Sequence, residues 1–249
     1  MKNKLLLSVL GLALCQAERA SAAGINVSPV QVELSRDESK AQVLVRNESE
    51  EPARFQLSVS AWDEDAEKGM QLTPTQEIVF FPALLTLKPG EQRAVRVGAL
   101  PAQFGLVEKT YRLFVEELPP PAKPGQRSQV RVLTRVGIPI FLAPSRKLEG
   151  TVLELRLDGP AAVAEAKNNG NVHFRVNSVD FKAFDEKGAV LLEKQQQGWY
   201  VLANGKKPFR FDLPQGTCGK ARRLIAVMHL DDERTYSQAL DTPSGACGK

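Results

Sequence analysis

Apolar and polar residues alternate along most of this chain with a period of two. Phe55-Gln56-Leu57-Ser58-Val59-Ser60-Ala61-Trp62 is the clearest run, and Ala41-Gln42-Val43-Leu44-Val45-Arg46 and Val32-Glu33-Leu34 follow the same rhythm. Alternation over such lengths marks half-buried strands, because successive side chains of a strand point to opposite faces. Turn residues punctuate the runs: Asn47-Glu48-Ser49 closes one, and Lys88-Pro89-Gly90 precedes Arg93 to Val97. Ile25 to Leu34 reads as an opening strand, while Tyr111 to Glu116 and Val130 to Leu142 complete about seven strands by Pro144, the spacing of an antiparallel sandwich.

A second set follows Pro144-Ser145-Arg146-Lys147. Thr151 to Leu157, Ala162 to Lys167 and Val172 to Phe184 read as strands, the last turned back by Asp185-Glu186-Lys187-Gly188. Asn168-Asn169-Gly170-Asn171 is a turn cluster. Asn204-Gly205 is a hairpin signal between Trp199–Leu202 and Phe209–Phe211. Arg223 to Leu230 and Thr235 to Leu240 finish the set. No stretch carries the pattern of a long helix. The chain therefore reads as all-β, with one domain over 23–144, a second over 145–249, and a joint too short to act as a flexible tether.

The first 22 residues stand apart from this pattern. Lys2 and Lys4 precede an apolar run from Leu5 to Leu14, too short to span a bilayer as a helix, and Ala20-Ser21-Ala22 supplies small residues for cleavage. This is the form of a secretory signal peptide, and it places the mature protein in an exported compartment. The whole chain has 33 basic and 29 acidic residues, net +4. Removing the leader takes Lys2, Lys4, Arg19 and Glu18 with it, so half the basic excess disappears. No basic run interleaved with aromatics points to nucleic acid, and no second apolar stretch is long enough for a membrane span. Cys15 goes with the leader. Cys218 and Cys247 remain, an even pair in an oxidising compartment, and the expectation is a disulfide between them.

Catalytic chemistry finds no support. The chain has no G-x-S-x-G, H-E-x-x-H, phosphate-binding loop or dinucleotide turn. His173 and His229 are far apart in sequence and without partners at metal-ligand spacing. Asp63-Glu64-Asp65 lacks the further oxygen ligands of a cation site and reads as a solvated loop. No metal or cofactor is expected, and an enzyme is the weakest class of reading.

Order and spacing of several segments resemble the periplasmic pilus-assembly chaperones of the chaperone–usher pathway. Ile25 to Leu34 with Asn47 closing the next strand resembles their opening. Phe81-Pro82-Ala83-Leu84-Leu85-Thr86-Leu87-Lys88-Pro89-Gly90 running on to Arg96 is similar to their P-x-x-x-x-L-x-P-G stretch, and Tyr111 to Pro119 to the strand that ends in a Glu-Ile/Leu-Pro signature. Asn168 to Asn171 falls where that family has an Asn-centred turn. The resemblance implies two Ig-like β-sandwich domains in an L-shaped (boomerang) arrangement. It also implies a non-catalytic role in the periplasm, with pilin subunits and an outer-membrane usher as partners. Such chaperones lend a strand to a pilin that lacks its last one, an established case of β-strand addition.

The residues implied by the resemblance follow position by position. Val130, Val132 and Thr134 match the donated apolar positions, with Thr134 the weakest anchor. Val136, Ile138 and Ile140 continue the same face, and belong either to the donated row or to the domain's own core. The family's basic pair, which holds the pilin's C-terminal carboxylate, aligns with Gln31 and Pro139, neither of which carries a charge. Arg112, on the strand expected beside the donor, is the substitute candidate for that carboxylate, against a simple pairing with Glu116 or a solvated charge; Lys109 is a weaker choice. Glu108 matches an acidic interdomain position whose usual arginine is here Ala143, so the expectation is that it lacks that salt bridge and lies exposed. The alternative from another class is a secreted Ig-like structural or adhesive subunit that is itself assembled. The Pro-rich segment Pro119 to Gly125 argues for the chaperone.

Overall fold

The computed structural model describes residues 24–65, 68–120 and 132–243. In the first half, β1 (Ile25–Ser28), β2 (Val32–Leu34), β3 (Lys40–Asn47), β4 (Ala53–Asp65), β5 (Gly69–Pro74), β6 (Ile78–Phe81), β7 (Leu84–Leu87), β8 (Gln92–Ala99), β9 (Lys109–Leu118) and β10 (Arg135–Leu142) build two sheets. One has the order β1-β3-β8-β6; the other runs β2-β10-β9-β4-β5, with β7 also on β4. In the second half, β11 (Thr151–Asp158), β12 (Ala161–Asn168), β13 (Phe174–Phe184), β14 (Val190–Gln197), β15 (Tyr200–Val201), β16 (Lys206–Asp212), a one-turn helix α1 (Gln215–Cys218), β17 (Arg223–Leu230) and β18 (Thr235–Asp241) build two more. Their orders are β11-β12-β16 and β14-β13-β17-β18, with β15 on β13. The chain is two Ig-like sandwiches in tandem, as the resemblance implies.

Each sandwich closes over its own core. Val43, Phe55, Leu57, Val95, Leu113 and Ile140 meet inside the first. In the second, the alanines at 162, 164 and 166 let β12 approach the stacked rings of Phe181 and Phe211, whose centroids are 4.7 Å apart. The same device ends β3 in the first unit and β12 in the second. Asn47 is fully buried, donates to the carbonyls of Glu51 (2.8 Å) and Leu87 (3.1 Å), and accepts from the Ser49 N–H at 3.0 Å. Asn168, 2% exposed, donates to Val172 (2.7 Å) and Val201 (3.0 Å) and accepts from the Gly170 N–H at 2.9 Å. A short amide supplies both a donor and an acceptor to a turn whose backbone groups are cut off from water, which is why these positions are asparagine.

Several sequence expectations are corrected. The opening strand is two strands in different sheets: β1 pairs with β3, and beyond the cis Ser28–Pro29 bond β2 runs parallel to β10. Asn204-Gly205 is a turn, with Asn204 at φ +58°, but not a hairpin. β15 pairs with β13 and β16 with β12, so the turn carries the chain from one sheet to the other. Asp63-Glu64-Asp65 is no loop; it ends β4, paired with β5 from Gly69 to Gln71. The strand expected from Val130 begins at Arg135.

Candidate functional site

Sheet alternation decides which side chains of β9 and β10 face outward. Tyr111, Leu113 and Val115 of β9 and Val136, Ile138 and Ile140 of β10 face the core of the first sandwich. This resolves the open reading of Val136 to Ile140: they belong to the domain's own interior. Arg112, Phe114, Gly137, Pro139 and Phe141 therefore lie on the opposite face, with Trp62 from β4. That face meets the second sandwich. Trp62, Phe141, Tyr200 and Leu202 form a buried cluster between the two halves.

Strand β10 has one open side. It pairs with β9 over its full length, from Arg135 opposite Glu116 to Leu142 opposite Lys109. On its other side β2 covers Ile140 to Leu142 alone. From Arg135 to Pro139 no strand lies there among the described residues. Immediately before it Val132 is 79% exposed, Leu133 is exposed as well, and Thr134 is half-buried, its carbonyl taking the Glu117 N–H at 2.9 Å. Val130 lies outside the described residues.

Arg112 is the unusual group. It is 6% exposed, and its Nε and Nη2 have no hydrogen-bond partner. Its guanidinium carbon lies 4.3 Å from the Trp62 ring centroid and 5.3 Å from that of Trp199, one indole from each sandwich. Neither bland reading of Arg112 holds. It is not solvated, and Glu116 pairs instead with Arg135 at 3.5 Å. Its register partner on β10 is Pro139, the position that the resemblance assigns to a basic residue, so Arg112 stands directly beside that position on the neighbouring strand. Burial pushes its pKa below the ordinary arginine value, with Tyr200 and Glu64 opposing that shift. A cation–π contact contributes about 0.5–2 kcal/mol. Each buried donor left without an acceptor costs about 1–3 kcal/mol. Two rings therefore contribute about 1–4 kcal/mol against about 2–6 for two such donors, so at the middle of both ranges stacking offsets only part of the deficit, and a planar acceptor with two oxygens is the group that would match both donors. Gly137 leaves the room: a Cβ there would stand 3.0 Å from the Phe114 ring and 3.5 Å from Arg112 Nη1. Lys109 is engaged elsewhere, 3.1 Å from Glu77 and 3.0 Å from Gln103.

The junction around this site is tied by polar contacts. Glu108, far from exposed, has a side chain only 4% accessible. Its Oε1 takes the His173 N–H at 3.0 Å and faces Nδ1 at 2.8 Å, while the imidazole stacks on Phe141 at 3.6 Å. His173 thus fills the place left by Ala143. Asn171 donates to the carbonyls of Leu106 (2.7 Å) and Arg146 (2.8 Å), Lys207 reaches Glu64 at 3.3 Å, and the Tyr200 hydroxyl donates to Gln31 at 2.9 Å. Gln31, the other uncharged stand-in, is a strut of the junction. The sequence pairs none of these residues, because the partners lie far apart in the chain and most of them come from the other sandwich. Trp62 and Phe141 did leave a signal: a large ring on the outward face of an alternating strand asks for a second surface to bury it.

Cys218 is 5% exposed and disulfide-bonded; Cys247 lies outside the described residues. His229 sits 2.9 Å from Asp180 on the surface of the second sandwich. Among the described residues no group of histidines, cysteines and carboxylates could hold a metal ion, and no helix is long and apolar enough to cross a membrane.

Two tandem Ig-like sandwiches with an open strand edge and a buried, acceptor-poor cation at their junction make a binding scaffold. The family model of the pili and flagellar-assembly chaperones, PapD N-terminal domain, matches residues 24–149. The match takes in more than half of the chain, and the protein belongs to this family of assembly chaperones. Compared directly by sequence, no characterised relative matches. Solved structures share the whole architecture. The YadV chaperone is 14% identical, with 88% of this chain and 100% of that one covered at a TM-score of 0.60. A chain from the CsuC–CsuE chaperone–tip adhesion subunit pre-assembly complex of the archaic chaperone-usher Csu pili of Acinetobacter baumannii is 19% identical, over 87% and 98%, at 0.57. One from the Salmonella enterica SafA pilin–SafB chaperone complex is 16% identical, over 89% and 97%, also at 0.57. At these identities the likeness establishes the fold.

Proposed function

We propose that the protein is a periplasmic chaperone that captures pilin subunits by lending them a strand and passes them to an outer-membrane usher. The leader at residues 1–22, outside the described residues, would direct export. The mature chain would act through domains at 23–144 and 145–249. The observation that carries the reading is the run from Val132 into β10. The same face that is interior at Val136, Ile138 and Ile140 is 79% exposed at Val132, beside the edge from Arg135 to Pro139, where no strand pairs among the described residues. An incomplete pilin sandwich offers what that edge lacks, a strand to pair with and apolar pockets for Val130, Val132 and Thr134. Full burial of one valine contributes roughly 1.5–3 kcal/mol, so two anchors suffice to set the register. Arg112 supplies the end stop. A subunit's C-terminal carboxylate would give its orphaned donors the acceptor they are missing, the role that Gln31 and Pro139 cannot take.

Replacing Val130 and Val132 together with aspartate tests this. The double variant is expected to fold with the wild-type circular dichroism spectrum and melting curve, and to lose co-purification with pilin subunits. Undiminished capture would overturn the strand assignment, and so would loss of folding. Arg112→Ala carries the second arm: capture weakens by more than about tenfold, the scale for losing one partner of a desolvated charge pair. The preference for a free over an amidated C-terminus disappears with it.

A further inference from the structure

The walls of the Arg112 site differ in a way that assigns them different tasks. Trp62 is fixed: it is 2% exposed, packed against Phe141, and its indole N–H reaches Glu64 at 3.3 Å. Trp199 is only partly buried, and its indole N–H has no acceptor among the described residues. Its backbone is nonetheless pinned. The Trp199 carbonyl takes the Val176 N–H at 2.9 Å and the Gly198 N–H reaches Asn177 at 2.8 Å. A Cβ at Gly198 would fall 2.2 Å from the Val176 carbonyl oxygen, so only glycine fits against that strand. The indole itself is held by ring contacts alone, over Arg112 and edge-on to Tyr200 at 5.4 Å, so turning it about its side-chain bonds breaks no hydrogen bond among the described residues. It covers the guanidinium from the second sandwich, and Nε and Nη2 are closed to solvent while it does so.

We propose that Trp199 is the gate of the carboxylate site: its indole caps Arg112 in the free protein and swings away when a partner's C-terminal carboxylate arrives. This rests on the reading of Arg112 as the carboxylate anchor and adds to it a positioning residue from the other domain. The exchange is favourable because the ring offers a cation only its π face, whereas a carboxylate offers two hydrogen-bond acceptors. The cap keeps water and stray anions from the site until a strand paired along β10 brings a carboxylate to it. Capture is thereby coupled to the second domain, although β9 and β10 belong to the first.

Trp62 and Trp199 are the chain's two tryptophans, so emission excited selectively from tryptophan, with the three tyrosines silent, reads this site alone. The probe is an N-acetylated peptide of alternating valine and threonine with a free C-terminal carboxylate, set against its C-terminal amide. In Trp62→Phe, which leaves Trp199 as the sole emitter, the carboxylate peptide is expected to shift emission to the red and raise acrylamide quenching, and the amide to do neither. In Trp199→Ala the entry cost is gone, and the carboxylate peptide should associate about tenfold faster, as when a closed state no longer reduces the competent fraction. If the wild type prefers the carboxylate peptide but Trp199 emission and quenching stay constant and Trp199→Ala associates no faster, the gate is wrong and the Arg112 anchor stands. If the wild type does not distinguish acid from amide, the anchor falls and the gate with it. Should Trp199→Ala fail to fold, the emission and quenching of Trp62→Phe still decide.

Discussion

At the scale of single residues, burial makes a few polar side chains decisive. Asn47 satisfies three backbone groups inside the first sandwich, and Asn47→Ala leaves them orphaned. It should lower the stability of that domain by about 2–3 kcal/mol in urea titration, the range for unsatisfied buried groups. Glu77 carries a pH dependence. The hydrogen bond from Tyr111 chiefly, with Lys109 beside it, holds its carboxyl below the ordinary value of 4.5, while burial and that same carboxylate push the Tyr111 phenol far up. A depressed folded value means that Glu77 contributes stability in full above the unfolded carboxyl's pKa and loses it as pH falls through the lower folded one. Glu77→Gln should therefore flatten the acid limb of the melting-temperature profile and leave a deficit at neutral pH; identical acid limbs would remove Glu77 from the account. The buried, disulfide-bonded Cys218 has Cys247 as its proposed partner. Closing a loop of this order contributes roughly 3–4 kcal/mol in the chain-entropy picture. Thiol titration of the denatured, unreduced mature protein should find no free thiol, and peptide mapping should join 218 to 247.

At the scale of elements, the run from Val132 through β10 would, on the proposed reading, divide two duties along its length. Its later half is core: Ile138 and Ile140 are 1% and 0% exposed. Charge cannot be taken there without loss of the fold, and Ile138→Asp should unfold the first domain, since an unpaired buried carboxylate is far more costly than the domain's spare stability. The same substitution at Val132 should leave the melting curve in place. The contrast between the two variants, read by circular dichroism and by subunit capture, locates the boundary between core and lent strand. The face of an alternating run is legible in sequence; where that face stops being interior is not. Val130 to Ile140 reads as one unbroken row. Among the described residues the structure divides it, because the first sandwich supplies a facing layer from Val136 onward and leaves Val132 exposed.

At the scale of the whole molecule, the junction between sandwiches is both the rigid joint and the place of the candidate site. Glu108 and His173 hold it from one side, Lys207 and Glu64 from another, with the ring cluster between them. Glu108→Leu orphans the His173 N–H and Nδ1 inside this seam. It should broaden the range of interdomain angles, seen as a larger radius of gyration in small-angle X-ray scattering, while each domain keeps its own melting transition. An unchanged scattering profile would mean that the aromatic cluster alone sets the angle.

What the sequence determined by itself is everything that depends on local periodicity and short-range turn chemistry. The all-β class, most strands and the Asn-centred turns at Asn47 and Asn168 were legible from alternation and composition, as was the hairpin at Asp185 to Gly188. These follow from which face a side chain takes and which backbone angles a turn allows, and neighbours in sequence decide both. Arg112 was legible as a candidate by its strand position. Its burial, its missing acceptors and its two indole walls were not, because Trp62 and Trp199 reach it from different sandwiches. The pairing of Glu108 with His173 and the sheet change across Asn204-Gly205 were hidden for the same reason. Which strand lies beside which, and which side chains meet across a junction, depend on contacts between residues far apart in the chain, and only the packing of one domain against the other brings them together.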